Sequence, residues 1–438
     1  MTSEEISASG STAASLRSGS IKVAVGLAFF GGATYAFQTV TARAVGTVSY
    51  ADFAVFWGLV YGVGLGAFLP FEQEVSRRVS EQYARGGSGA AVLRTAYRAA
   101  AGVTLILALA MLVVVPLVSK GTLSHSASLW AASVAAFAGL GLAYVSRGGL
   151  SGTRRFSHYS RQLGVEGGVR LAAALVLPLA AVTSPWPYAA VVAIGLFVAV
   201  PLTARSTWRQ PATGEAPIAL SDLGRSLGAV IISSTIAQLL VNFGPVVVRL
   251  LSQPSEQALA GRFMAAALVA RLPIFLFAAI QAVLIPRLVD AVVRGDHRGF
   301  VRSVRAVMVP TVALGLLGML GCAALGPQIL RLVLGPDFAL PRLDITLLAA
   351  STGLFLVTLV LQPAAISLKR HRQAALTWVA AAVVFGLGCL LPLSPVRTVE
   401  IALIVATAAA VAGLSVLVLR GVAAHEAEMA RARELPGA

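Results

Sequence analysis

A permanent positive charge inside an apolar helix needs a chemical reason. The stretch "LVARLPIFLFAAIQAVLIPRLVD", residues 268–290, carries such a charge at Arg271, two residues before Pro273. Arg43 and Arg249 end the first and seventh predicted helices at similar height, and Arg262 sits one to two turns beyond. A guanidinium is planar, always charged, and donates through a fork that fits phosphate oxygens, most of all where water is scarce. Uncharged polar side chains share these helices. Tyr35 and Gln38 lie in "VGLAFFGGATYAFQTVTARAVG", Gln238 and Asn242 in "GAVIISSTIAQLLVNFGPVVVRLL", and Gln281 in the eighth predicted helix. Polar groups facing lipid are costly, so these either hydrogen-bond between helices or line a wet cavity. Gln38, Asn242 and Gln281 fall at corresponding depths, which fits a cavity lining. The candidate anion-recognition set is therefore Arg271, Arg249, Arg43, Gln38, Asn242, Gln281, Tyr35 and Gln238. Arg271 precedes Arg287 by 16 residues, about 24 Å of helix at 1.5 Å per residue, which places it in the outer leaflet. From there its side chain either joins the cationic collar or snorkels to the outer surface.

Other chemistries are excluded by what surrounds these groups. The five histidines (His125, His158, His297, His371, His425) are scattered singly in predicted loops or the tail, and Cys322 and Cys389 lie in separate helices, so no metal spacing or disulfide framework arises. No cofactor is expected. The carboxylates, Glu72 and Glu166 among them, are placed in loops or at helix ends, with none near the membrane midplane. A cation-coupled drug exporter would be expected to carry an intramembrane carboxylate, so the inferred cavity prefers an anion. An enzyme that polymerises or ligates glycans would be expected to carry a large outer loop of catalytic residues, and the longest here is short; the chain is not expected to be an enzyme.

The elements that must position these groups follow from composition. Of 438 residues, 57% are hydrophobic and 12% charged, and the mean hydropathy is +0.84. That is the composition of an integral membrane protein. Apolar runs of the length that spans a bilayer fall near 21–43, 53–70, 92–118, 128–147, 165–183, 187–205, 226–250, 258–286, 303–325, 343–368, 373–392 and 397–419, giving about twelve helices. Unbroken apolar runs of this length exclude a β-barrel. The net charge of +16 raises nucleic acid as a partner, but its distribution argues against it. Placing both termini in the cytoplasm puts 26 of the 34 basic residues on one side, Arg147 and Arg170 among them, so the excess is a topology signal. The bilayer is a partner and nucleic acid is not. A ratio of 31 Arg to 3 Lys with abundant Ala and Gly suggests a high-GC bacterium, hence its inner membrane.

An internal repeat organises the helices. "GAFLPFEQEVSRRVSEQYARGGSGAAVLRTAYRAA" and "QAVLIPRLVDAVVRGDHRGFVRSVRAVM" share a plan: a helix ending at a proline (Pro70, Pro286), a basic amphipathic segment with a Gly turn, and re-entry behind paired arginines. The prolines are 216 residues apart, about half the chain, which implies two six-helix lobes related by a pseudo-two-fold axis along the membrane normal. The expected division is a disordered tail at 1–20, an N-lobe at 21–205, a linker at 206–225, a C-lobe at 226–420 and a cytoplasmic tail at 421–438. Gly58, Gly62 and Gly66 repeat every fourth residue, a spacing that lets helices approach closely. Pro245, Pro273 and Pro363 each leave a carbonyl four residues back without its N–H partner and allow a bend.

Three stretches, "SYADFAVFWGLVYGVGLGAFLPFEQEVSRRVSE", "AGRFMAAALVARLPIFLFAAIQAVLIPRLVDAVVRGDHRGF" and "GPQILRLVLGPDFALPRLDITLLAASTGLFLVTLVLQPAAISLKRHRQAAL", resemble the polysaccharide exporters of the multidrug/oligosaccharidyl-lipid/polysaccharide superfamily, over residues 21–420. The resemblance implies two six-helix lobes around a V-shaped cavity and export of polyprenyl-pyrophosphate-linked glycans by alternating access, with glycan-assembly enzymes as further partners. Lipid II flippases of that superfamily place arginines inside the first helix, where the corresponding positions here are Phe37 and Gly31. That departure favours an O-antigen or teichoic-acid type. A lipid II flippase and a multidrug antiporter of the same superfamily remain the alternatives.

Overall fold

The computed structural model describes residues 3–119, 123–208, 219–274, 277, 297–368 and 370–434. Among them there are helices and no strand. In chain order the helices are α1 (Ser3–Leu59), α2 (Leu65–Ala84), α3 (Ala90–Ser119), α4 (Leu123–Gly152), α5 (Phe156–Leu179), α6 (Pro185–Trp208), α7 (Leu220–Asn242), α8 (Gly244–Leu251), α9 (Leu259–Ala270), α10 (His297–Val333), α11 (Arg342–Ser367), α12 (His371–Gly388) and α13 (Pro395–Glu434). Eight segments of the described residues are long and apolar enough to cross a membrane, nine with the bent pair α7–α8. One of the eight, Ile21–Ala84, is broken at Gly46, whose φ of 75° lies outside the helical region, and holds both the first and second expected spans. With α9 and α12 included, the expected set of about twelve is present, and the chain is an all-α, multi-span membrane protein.

The chain divides into two compact units, Met1–Gln238 and Leu239–Ala438. The division falls inside α7 rather than at residue 225, because the first part of α7 packs on α2. A Cβ placed on Gly66 would lie 2.3 Å from the Thr235 Cα, so only glycine permits that backbone approach. Arg78 reaches the Asp222 carbonyl at 3.2 Å from the other end of the same contact.

Several expectations are corrected. The segment 1–20 is helical from Ser3, and α13 continues to Glu434; the second of these stretches is rich in Ala, Glu and Arg with no proline inside, which favours helix. Pro70 does not end a helix but lies within α2. A proline removes one backbone bond, and a helix held by neighbours on both sides tolerates that loss. Gly58, Gly62 and Gly66 do not form one straight stripe, because a π-helical turn at Val60–Gly64 shifts the register. Gly64 meets Phe137 and Leu140 of α4 while Gly66 meets α7. The break at Gly244–Pro245 is present as expected: α7 and α8 meet at 61°. Pro286 and the second copy of the repeat up to residue 296 lie outside the described residues.

Candidate functional site: a buried charge cluster and a capped helix break

The first unit holds a group of charges that composition does not reveal. Glu166, placed at a helix end from the sequence, sits ten residues into α5 and is 2% exposed; Arg170 is fully buried and Arg147 of α4 is 4% exposed. The two arginines were counted among cytoplasmic loop charges, and both are inside the helix packing. Their carboxylate explains why. Arg147 donates to Glu166 Oε2, and Arg170 to Oε1 at 3.1 Å. Arg170 also donates to the Tyr61 hydroxyl at 2.6 Å and to Thr34 Oγ1. Tyr61 belongs to the π-helical turn, so the distortion that breaks the glycine stripe also presents a hydroxyl to the arginine.

Aromatic rings wall this cluster. Phe53, Trp57 and Tyr61 follow one another at four-residue spacing, so they share a helix face. Trp57 stacks on Tyr61 with 4.1 Å between ring centroids. The Arg170 guanidinium lies 4.5 Å from the Phe30 ring centre, and that of Arg147 lies 5.0 Å from Tyr144. Cation–π attraction strengthens when the cation is desolvated, which compensates part of the cost of burying two guanidiniums. About two helix turns from Glu166 towards the start of α5, the Tyr159 hydroxyl donates to Glu72 Oε1 at 2.7 Å. Gln162 closes the polar side, accepting from Ser146 at 3.1 Å and donating to the Ala143 carbonyl at 3.4 Å. Two arginines against Glu166 leave a local excess of positive charge, which Glu72 nearby offsets.

The second unit contains two further groups. At the starts of α11 and α13, Arg397 donates to Asp344 Oδ1 at 2.6 Å and lies 3.5 Å from the fully buried Glu400. At the α7–α8 break, Arg271 donates to the Val241 carbonyl. Arg271 also lines a cavity of about 30 Å³ with Val241, Ser351, Thr352, Phe355 and Thr407. That volume holds one or two water molecules and is too small for a sugar or a pyrophosphate.

The sequence-derived candidates are placed as follows. Arg249 is buried at the end of α8 and donates to the Gln257 carbonyl at 3.2 Å, and Arg262 donates to the Asp337 carbonyl at 3.0 Å. With Arg271, three arginines of the second unit thus each donate to a backbone carbonyl. Arg43 is exposed, three residues before the Gly46 bend. Gln38 is buried, and its Oε1 has no hydrogen-bond partner among the described residues. Tyr35, Gln238 and Asn242 are half-buried. Gln281 lies outside the described residues. The groups missed by sequence reasoning are Glu166, Arg147, Arg170 and Tyr61; the available signal was Glu166 and Arg170 four residues apart within a helix.

No family model matches the chain. Among curated proteins it is 28% identical over 407 residues to uncharacterized protein Rv3630 of Mycobacterium tuberculosis, covering 90% of each chain. It is 29% identical over 371 residues to uncharacterized protein Rv1510 of the same species, covering 82% of this chain and 81% of the relative. Solved structures are more telling about architecture. An inward-facing multidrug resistance MATE family transporter of the MOP superfamily superposes with a TM-score of 0.67 at 14% identity, covering 90% of this chain and 94% of that one. The chain has the MATE transporter fold. The eukaryotic MATE transporter AtDTX14 superposes with a TM-score of 0.65 at 14% identity, covering 94% and 99% of the two chains. A MOP superfamily transporter from Pyrococcus furiosus, described as having a binding pocket of reverse polarity, gives 0.59 at 13% identity, covering 93% and 96%. These neighbours are transporters rather than enzymes, and at such identities the likeness is one of MATE fold alone.

Proposed function

We propose that this protein exports an anionic, lipid-linked oligosaccharide, of the polyprenyl-pyrophosphate class, from the inner to the outer leaflet by alternating access. One observation carries the reading. Among the described residues, the buried Glu166 lies between two arginines, Arg147 and Arg170, while the buried Asp344 and Glu400 share one, Arg397. A cationic drug needs an available carboxylate, and Glu166 is already outnumbered by guanidiniums. The expectation from sequence that the carboxylates fall in loops or at helix ends, with none near the midplane, is thus replaced by a different basis for the same preference: Glu166 lies inside the packing and is outnumbered by its arginines. The reverse-polarity pocket attributed to the Pyrococcus furiosus transporter supports the idea that this fold accommodates such a preference. Solved MATE transporters in inward-facing and outward-facing conformations support alternating access. Outward movement of a negative head group is favoured by about 2.3 kcal/mol per charge per 100 mV.

The location that goes with this reading is a bacterial inner membrane with both termini cytoplasmic, and glycan-assembly enzymes are the natural partners. Multidrug antiport is the second reading, favoured by the likeness to multidrug resistance transporters. Reconstituted full-length protein separates the two. With a fluorescent polyprenyl-pyrophosphate oligosaccharide in the inner leaflet and a cationic dye in parallel vesicles, export of the glycolipid without dye movement is expected. Dye movement driven by a proton or sodium gradient, with a stationary glycolipid, would replace the glycolipid reading by antiport.

A further inference from the structure

Pro245 has no N–H, so the carbonyl four residues earlier in the chain loses its helical partner. That carbonyl belongs to Val241, and it is the one to which the Arg271 guanidinium donates. The chain turns by 61° at this point, between Val230–Asn242 and Gly244–Leu251. The backbone then restarts on the far side of the break, with the amides of Val246 and Val247 both donating to the Phe243 carbonyl at 3.0 and 3.1 Å. Arg271 comes from an element that itself stops there: it follows the last residue of α9, and its own amide closes that helix on the Ala267 carbonyl at 3.1 Å. Two interrupted helices are therefore joined by one side chain that replaces a missing backbone donor.

We infer that Arg271 is a positioning residue that latches the broken seventh helix in its bent form by supplying the hydrogen bond that Pro245 withholds from Val241. A buried carbonyl left without a donor is costly, and a charged donor gives a stronger bond than the amide it replaces. The latch can release, because straightening the helix moves the carbonyl away from Arg271. This role stands apart from the identity of the exported molecule and explains an intramembrane arginine without a bound anion.

Epistasis between Arg271 and Pro245 is the test. In full-length protein with Cys322→Ser and Cys389→Ser, spin labels at Ile232→Cys and Leu250→Cys occupy exposed positions on the two arms. At about 1.5 Å per residue the arms put the labelled backbone sites about 27 Å apart in a straight helix, and about 23 Å apart at the observed 61°. The parent protein should show the shorter span. Arg271→Gln should broaden it towards the longer one, while Arg271→Lys, which keeps a charged donor, should hold most of the short population. In a Pro245→Ala background the backbone amide gained at position 245 serves Val241, so adding Arg271→Gln should change neither the span nor the thermal midpoint. Should Arg271→Gln alone fail to fold, its recovery by Pro245→Ala supports the latch. An unchanged span in Arg271→Gln, an equal effect in both backgrounds, or failure to fold in both overturns it.

Discussion

Replacing Glu166 with glutamine tests whether the buried cluster in the first unit is held by charge or only by shape. The substitution keeps volume and one acceptor oxygen but removes the counter-charge from two guanidiniums that are almost wholly inaccessible. Breaking a buried ion pair by removing one partner costs about 3–5 kcal/mol, because the remaining charge stays buried. Arg170 keeps its bonds to Tyr61 and Thr34 and its place against the Phe30 ring, so the lower end of that range, about 3 kcal/mol, is expected. For a unit of roughly 200 residues this lowers the thermal midpoint by about 6–12 °C. Scanning fluorimetry on detergent-purified protein reads the change. Arg77→Ala is the control, since it removes an exposed pair with Glu74 and Glu81, worth at most about 1 kcal/mol. Arg170→Met added to Glu166→Gln removes one stranded cation and should restore part of the loss. A Glu166→Gln midpoint no lower than that of Arg77→Ala would refute the electrostatic account.

Two further outcomes follow from packing and charge in other places. Gly66→Ala should abolish or sharply reduce the yield of folded protein, because its methyl group would meet the Thr235 backbone, whereas Gly102→Ala, with nothing within 4 Å of the added carbon, should be neutral or stabilising by up to about 1 kcal/mol; yields on size-exclusion chromatography compare them. Arg397→Ala should lower the thermal midpoint more than Arg77→Ala does, since it strands Asp344 and Glu400 together, and Glu400→Gln added to it should recover part of the difference.

Much of the fold was legible because its determinants are local. Long apolar runs specify helices in lipid whatever they pack against, so α3, α10 and α13 appear where hydropathy puts them. The break at Gly244–Pro245 was legible for the same reason: the missing N–H is a property of one residue. The charge cluster was not. Arg147 and Glu166 stand on different helices, 19 residues apart, and an arginine counts the same in a topology sum whether it faces water or a buried carboxylate. Arg249 was placed at a helix end from the sequence and Arg271 inside a helix, yet the partners of Arg249, Arg262 and Arg271 are backbone carbonyls set by tertiary folding, which no spacing rule announces. The π-helical turn at Val60–Gly64 was hidden too, since its sequence, "VYGVG", is ordinary for a membrane helix.

The outward surfaces of α3 and α10 have their own consequence. Leu105, Leu109, Leu112, Val113 and Leu117 on one, and Val309, Leu316, Leu317 and Leu320 on the other, are all at least half exposed, and only about a fifth of each helix's most apolar stretch is covered by protein. Acyl chains are therefore the packing partners of these two helices, and bilayer thickness acts on them as directly as a neighbouring helix acts elsewhere. Vesicles made from shorter or longer lipids will press on α3 and α10 first, so the choice of lipid belongs among the controlled variables wherever this chain is reconstituted.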